Sequence, residues 1–93
     1  MNDVIKIITT EGCIGCEIAK NLVNKAINQS MFTHVKLETI DCFDKNYREF
    51  INYYNIHDYP AIIFMRNNEV LFIHIGTMPV PQIIDEIKHW YKK

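Results

Sequence analysis

The apolar positions change their spacing several times along the chain, and each change marks an element. Val4–Ile8 (VIKII) is a nearly unbroken apolar run, the pattern of a strand covered on both faces at the centre of a sheet. Ile18, Leu22, Val23, Ala26 and Ile27 then recur at three- and four-residue spacing, which predicts a helix with one apolar stripe. Residues 34–40 (HVKLETI) alternate and stop at Asp41, as a second strand would. Asp44 is placed to cap a second helix, with Tyr47, Phe50, Ile51 and Tyr54 on its apolar side. Residues 55–60 are a connection. AIIFM (61–65) and EVLFIHI (69–75) read as strands joined at Asn67-Asn68, because asparagine tolerates the positive φ of a hairpin turn. Gly76 stops the second of these strands. Pro79 and Pro81 suit the first turn of a last helix, with Ile83, Ile84, Ile87, Trp90 and Tyr91 on its apolar side.

The resulting order is β-α-β-α-β-β-α. A right-handed crossover makes the first two strands parallel, and the hairpin is antiparallel. The expected fold class is α/β, a mixed four-stranded sheet flanked by three helices. The chain has 93 residues, enough for one domain over 1–93 and not for two. No repeat, linker or low-complexity tract interrupts it.

Composition narrows the functional classes. Hydrophobic residues are 48% and charged residues 23% of the chain, which supports an ordinary core and argues against disorder. The net charge is −1 and no Lys/Arg stripe is present, so nucleic acid is not an expected partner. The start, MNDVIKIITTEG, lacks a basic segment followed by a long apolar run, and no stretch approaches the ~20 apolar residues of a membrane span. The expectation is a cytoplasmic monomer with no membrane partner. In a reducing compartment, three cysteines point to catalytic or metal-binding thiols and not to a disulfide framework.

Two of those cysteines lie in TTEGCIGCEIAK, residues 9–20. If Cys13 sits where the first helix begins, Cys16 lies one turn in. Residues three apart on a helix have Cβ atoms ~5–6 Å apart, and a first cysteine at the cap position can close to the ~3.5–4.5 Å of a disulfide. The unpaired N–H groups and positive dipole end of a first helical turn favour a thiolate, and thiols so placed have pKa values lowered to about 3.5–7.5. Cys13 is therefore the expected nucleophile and Cys16 the resolving thiol, with Gly12 and Gly15 leaving the approach open. Two other readings stand beside this one. The thiols are inert, or they form half of a zinc clip completed by Cys42, His34, His57, His74 or His89, among which there is no second C-x-x-C or H-x₃₋₅-H pair.

Over nearly its whole length the chain resembles the thioredoxin superfamily. EGCIGC follows the first strand, and DYPAIIFMRNNEVLFIHIG resembles the family's second signature of a cis proline, a strand, a turn, a strand and a glycine. Tyr59-Pro60 with the preceding YNIHD, and IDC at 40–42, are most similar to domains of protein disulfide isomerase. The elements begin at the strand before the motif, as in a glutaredoxin-sized core. The resemblance implies a thiol–disulfide oxidoreductase with Cys13 and Cys16 catalytic, Ile14 and Gly15 as the spacer, and Tyr59, Pro60 and Gly76 binding substrate. It implies no cofactor beyond the Cys13–Cys16 disulfide and no metal. The implied partners are disulfide-containing proteins and a separate electron-donating reductase. Two further readings stay open: a disulfide oxidase or isomerase, and a redox-inactive binding module, with or without zinc.

The departures from the family pattern carry information. Ile7 stands where thioredoxins have a buried acid, Glu11-Gly12 where they have a tryptophan nearby, and Ile14-Gly15 in place of Gly-Pro or Gly-His. With no histidine in the motif and with Glu11 and Glu17 adding negative charge, thiolates are disfavoured, and the expected couple is reducing, nearer about −270 mV than about −180 mV. Glu11 and Gly76-Thr77-Met78 do not supply the glutathione-binding features of glutaredoxins. Cys42 reads as a small apolar filler, His57 and Asp58 as a surface turn near Pro60, and His74 as a sheet-edge residue. His34 and His89 read as solvated, and Phe50, Tyr54, Trp90 and Tyr91 as core.

Overall fold

A computed structural model describes residues 2–92. The strands are β1 (Asp3–Thr9), β2 (Lys36–Asp41), β3 (Ala61–Arg66) and β4 (Glu69–Ile75). The α-helices are α1 (Ile14–Ser30), α2 (Arg48–Tyr53) and α3 (Val80–Tyr91), and a 3₁₀ turn spans Lys45–Tyr47. The sheet order is β2-β1-β3-β4. β1 runs parallel to β2, from Val4 opposite Lys36 to Thr9 opposite Asp41, and β3 is antiparallel to both β1 and β4. The architecture is the mixed α/β sheet that the apolar pattern predicts.

The two unbroken apolar runs take the central positions because only there are both faces of a strand covered. Along β3, side chains alternate between two cores. Ile62 and Phe64 join Ile5 and Ile7 under α1 and α3, where Ala19, Val23, Ile83, Ile87 and Tyr91 meet them. Ala61, Ile63 and Met65 join Ile8 on the other face, packed by Phe50, Ile51 and Tyr59. No helix among the described residues is long and apolar enough to cross a membrane.

The structure departs from the sequence pattern in four places. Ile18 is 48% exposed. The buried stripe of α1 runs through Cys16, Ala19, Val23, Ala26 and Ile27, because its two alanines let the helix lie close on the sheet and turn Ile18 outward. The second helix is broken. Asp44 caps the 3₁₀ turn, accepting the Asn46 N–H at 2.9 Å, and α2 begins only at Arg48. Lys6 Nζ donates to the Tyr47 hydroxyl at 2.7 Å, which holds Tyr47 at the edge of the core, while Tyr54 is 38% exposed. β2 starts at Lys36, after the position where its alternation begins.

His34 is the fourth. It is not simply solvated: its Nε2 lies 2.8 Å from Asp3 Oδ2. Asp3 is buried and receives Arg66 Nε at 2.8 Å and Arg66 Nη2 at 3.2 Å. The Arg66 hydrogen bond, aided by His34 and opposed by burial, holds the Asp3 carboxyl below the ordinary carboxylate range. A carboxylate with a depressed folded-state pKa stabilises the fold above its unfolded value, and that stability is lost as pH falls through the folded value. Urea midpoints are thus expected to fall as pH drops below about 4, and Asp3→Asn is expected to be less stable at pH 7 with a shallower acid decline. An equally steep decline in the variant would remove Asp3 as the cause.

Candidate functional site

β1 ends at Thr9, and the chain turns through Gly12 at φ 73°, a left-handed conformation that glycine adopts without a Cβ clash. Cys13 follows in extended conformation as the N-cap of α1. The Cys16 N–H donates to Cys13 Sγ at 3.0 Å and lies 3.2 Å from the Cys13 carbonyl oxygen. One of the four orphan donors of the helix start is thus aimed at the sulfur. Cys13 and Cys16 form a disulfide with their Cα atoms 5.2 Å apart. The two sulfurs are not equivalent: Cys16 is 3% exposed, whereas Cys13 is only half-buried. Ile14 between them is 77% exposed.

Pro60 lies against the motif. A Cβ added at Gly15 would meet Pro60 Cδ at 3.6 Å. The Tyr59–Pro60 peptide bond is cis, and the Pro60 carbonyl accepts the Gly76 N–H at 2.8 Å. Gly76 has φ 98°, which a side chain would oppose. The structure therefore brings Cys13, Cys16, Gly15, Pro60 and Gly76 to one end of the sheet. The Tyr59 N–H and C=O have no backbone partner among the described residues. Its ring packs into the second core beside Cys42, and burial, with Cys42 second, raises the hydroxyl pKa.

The 3.6 Å gap at Gly15 is ordinary van der Waals contact. Gly15→Ala is therefore expected to raise stability by up to about 1 kcal/mol, as alanine does for glycine in a helix. Gly12→Ala is expected to lower it by about 1–2 kcal/mol through left-handed strain. Urea unfolding of the two variants checks both signs.

The other residues singled out by the sequence stand apart from the disulfide. Cys42 is a free, half-buried thiol, its N–H on the Thr9 carbonyl at 2.8 Å, and it fills the second core. His57 is exposed and lies 2.6 Å from Asn55 Oδ1. His74, on edge strand β4, contacts the Thr77 carbonyl at 3.1 Å, and His89 meets the Trp90 ring edge-on. Among the described residues no three His, Cys, Asp or Glu side chains are gathered to hold a metal ion.

A cleft of about 540 Å³ lies beside the disulfide, lined by residues 9–14, Cys16, Glu17 and Asp41, and the apolar pattern along the chain does not mark it. Asp41 enters it because the parallel register sets it opposite Thr9, and that register was the signal available.

No protein-family model matches the chain, and no curated protein matches it. Solved structures do. A variant thioredoxin from Halobacterium salinarum superposes with a TM-score of 0.78 at 15% identity, over 99% of this chain and 77% of its own. Thioredoxin-2, described as a component of malaria parasite protein secretion machinery, gives 0.74 at 18% identity over 95% and 82%. The chain has the thioredoxin fold. Thioredoxin O2 from Arabidopsis thaliana, solved in its oxidized state, gives 0.73 at 15% identity over 98% and 76%. At these identities the likeness concerns the backbone path. In this chain the thioredoxin fold brings together the end of β1, the start of α1 and the start of β3 at the disulfide.

Proposed function

We propose that the chain is a thiol–disulfide oxidoreductase that reduces disulfides in proteins. The observation that carries this reading is the asymmetric Cys13–Cys16 disulfide at a helix N-terminus, with the Tyr59–Pro60 backbone beside it. In the reduced form, Cys13 is the more accessible sulfur and receives the Cys16 N–H, which favours its thiolate. The thiolate attacks one sulfur of a substrate disulfide. A Cys13–substrate disulfide forms, the substrate S–S bond breaks, and the second substrate sulfur leaves as a thiolate. Cys16 then loses its proton and attacks Cys13 Sγ. The intramolecular disulfide forms and the substrate's remaining sulfur leaves with the electron pair. Two electrons pass from the dithiol to the substrate, and a separate dithiol reductase restores the pair.

Tyr59 offers an unpaired N–H and C=O to an extended substrate segment, as in pairing with an exposed strand edge. Pro60, lacking an N–H, adds no competing donor beside the sulfurs. Glu11 and Glu17 oppose accumulation of thiolate, which suits a reducing couple acting as a cytoplasmic monomer. The test is reduction of insulin disulfides with dithiothreitol as electron source. The protein is expected to accelerate precipitation of the insulin B chain well above the dithiothreitol background. No acceleration would leave a thioredoxin-fold binding module.

A further inference from the structure

We infer that the cleft beside the disulfide selects substrates whose cysteine is flanked by lysine or arginine, through Glu11, Glu17 and Asp41. This rests on the proposed oxidoreductase activity and adds the substrate class. The cleft opens directly onto both cysteines, so whatever presents a sulfur to Cys13 also places its neighbouring residues there. All the ionisable side chains lining it besides the cysteines are carboxylic acids: Glu11, Glu17 and Asp41. No lysine, arginine or histidine lines it among the described residues. The ion pairs among the described residues both involve Asp3, at the other end of the sheet. Among the described residues the three carboxylates therefore have no cation of their own, and the Asp41 carboxylate accepts only the Phe43 N–H at 2.7 Å. A cleft lined by one sign of charge concentrates the opposite sign and raises the rate of encounter.

The shared chemistry is a cation next to a reacting sulfur. Polypeptide is the source the structure favours, because Tyr59, which precedes the Pro60 packed against Gly15, presents an N–H and a C=O free of backbone partners among the described residues, and an extended backbone pairs with both. A cationic side chain then projects into the acidic cleft while the backbone lies along Tyr59. The chemical step is unchanged: Cys13 attacks the substrate sulfur, the leaving thiol departs, and electrons come from the reduced cysteine pair.

The experiment uses the pre-reduced protein and short peptides with one cysteine, activated as the 2-pyridyl disulfide and flanked by two lysines, two serines or two glutamates. The leaving group is common to all, and its release is followed by absorbance. Each rate is divided by that of dithiothreitol with the same peptide, which removes intrinsic reactivity. At low ionic strength the lysine peptide is expected to react about 10-fold faster than the glutamate peptide, with the ratio shrinking at ~0.5 M salt. The combined variant Glu11→Gln, Glu17→Gln, Asp41→Asn is expected to bring that ratio to within about 2-fold. Glu17→Lys alone, at an exposed helix position, is expected to lower the ratio about 3-fold and covers any misfolding of the combined variant. The cysteamine 2-pyridyl disulfide, a cation without a backbone, is expected to react more slowly than the lysine peptide. Equal normalised rates for all peptides, or a ratio untouched by the variants, would overturn the inference while leaving the redox reading intact. Cysteamine equalling the lysine peptide would overturn the polypeptide assignment. No peptide reacting faster than with dithiothreitol would instead sink the oxidoreductase reading itself.

Discussion

Cys13→Ser is expected to bring insulin reduction down to the dithiothreitol background, a loss of at least about 100-fold, since the thiolate is the attacking species in disulfide exchange. A serine hydroxyl does not ionise near neutral pH and makes no stable bond to sulfur. The variant is informative because its fold is expected to survive. Cys13 is the N-cap of α1 and its sulfur accepts the Cys16 N–H. Serine is among the best N-cap residues and accepts the same bond through Oγ. The disulfide closes a loop with a sequence separation of 3, short enough that its loss releases little chain entropy compared with a long loop. Under reducing conditions the two proteins are therefore expected to unfold within about 1 kcal/mol of each other. Loss of activity with unchanged stability separates chemistry from scaffold. Cys16→Ser is expected to behave differently: it retains the first attack, lacks the second, and accumulates a mixed disulfide with insulin. If Cys13→Ser kept wild-type activity, the assignment of Cys13 as nucleophile would be wrong.

Much of this site is legible in the amino-acid sequence, because it is built from local signals. A two-face apolar run ending at a glycine-flanked cysteine pair, followed by helical spacing, places the sulfurs at a helix start wherever the rest of the chain goes. Val4–Ile8 and residues 61–65 read as central strands for a similar reason: continuous apolarity demands cover on both faces. What stayed hidden depends on partners distant in sequence. Asp3 is buried because Arg66, 63 residues away, and His34, 31 residues away, meet it, and no local period encodes that meeting. Asp41 enters the cleft through strand register. Ile18 and Ala19 are adjacent on the same helix, and spacing alone does not say which lies deeper. The sheet settles it by admitting the smaller side chain closely. The second helix is broken beside Tyr47, which Lys6 meets from another element, a contact that local spacing does not encode.

Tyr91→Phe is expected to cost about 2 kcal/mol, through one atom, by leaving buried backbone groups without partners. The sequence pattern marks Tyr91 as core, and it is 1% exposed. Its hydroxyl, however, sits between the two central strands. It accepts the Met65 N–H at 3.1 Å and lies 3.0 Å from the Val4 carbonyl and 3.1 Å from the Met65 carbonyl, to one of which it donates. Val4 and Met65 face each other across β1 and β3. The hydroxyl bridges them and pins the end of α3 to the sheet. Phenylalanine keeps the ring packing against Phe64 but orphans the Met65 N–H. The measurement is the urea midpoint at constant m-value. A pH series adds a check that packing loss would not reproduce. Burial pushes the Tyr91 hydroxyl far above the ordinary tyrosine range. A group with a raised folded-state pKa stabilises the fold below its unfolded value, and that contribution is lost as pH rises. The gap between wild type and Tyr91→Phe is therefore expected to narrow above pH about 10, where the unfolded tyrosine ionises. A gap that held constant to pH ~11 would show that the hydroxyl is not confined in this way.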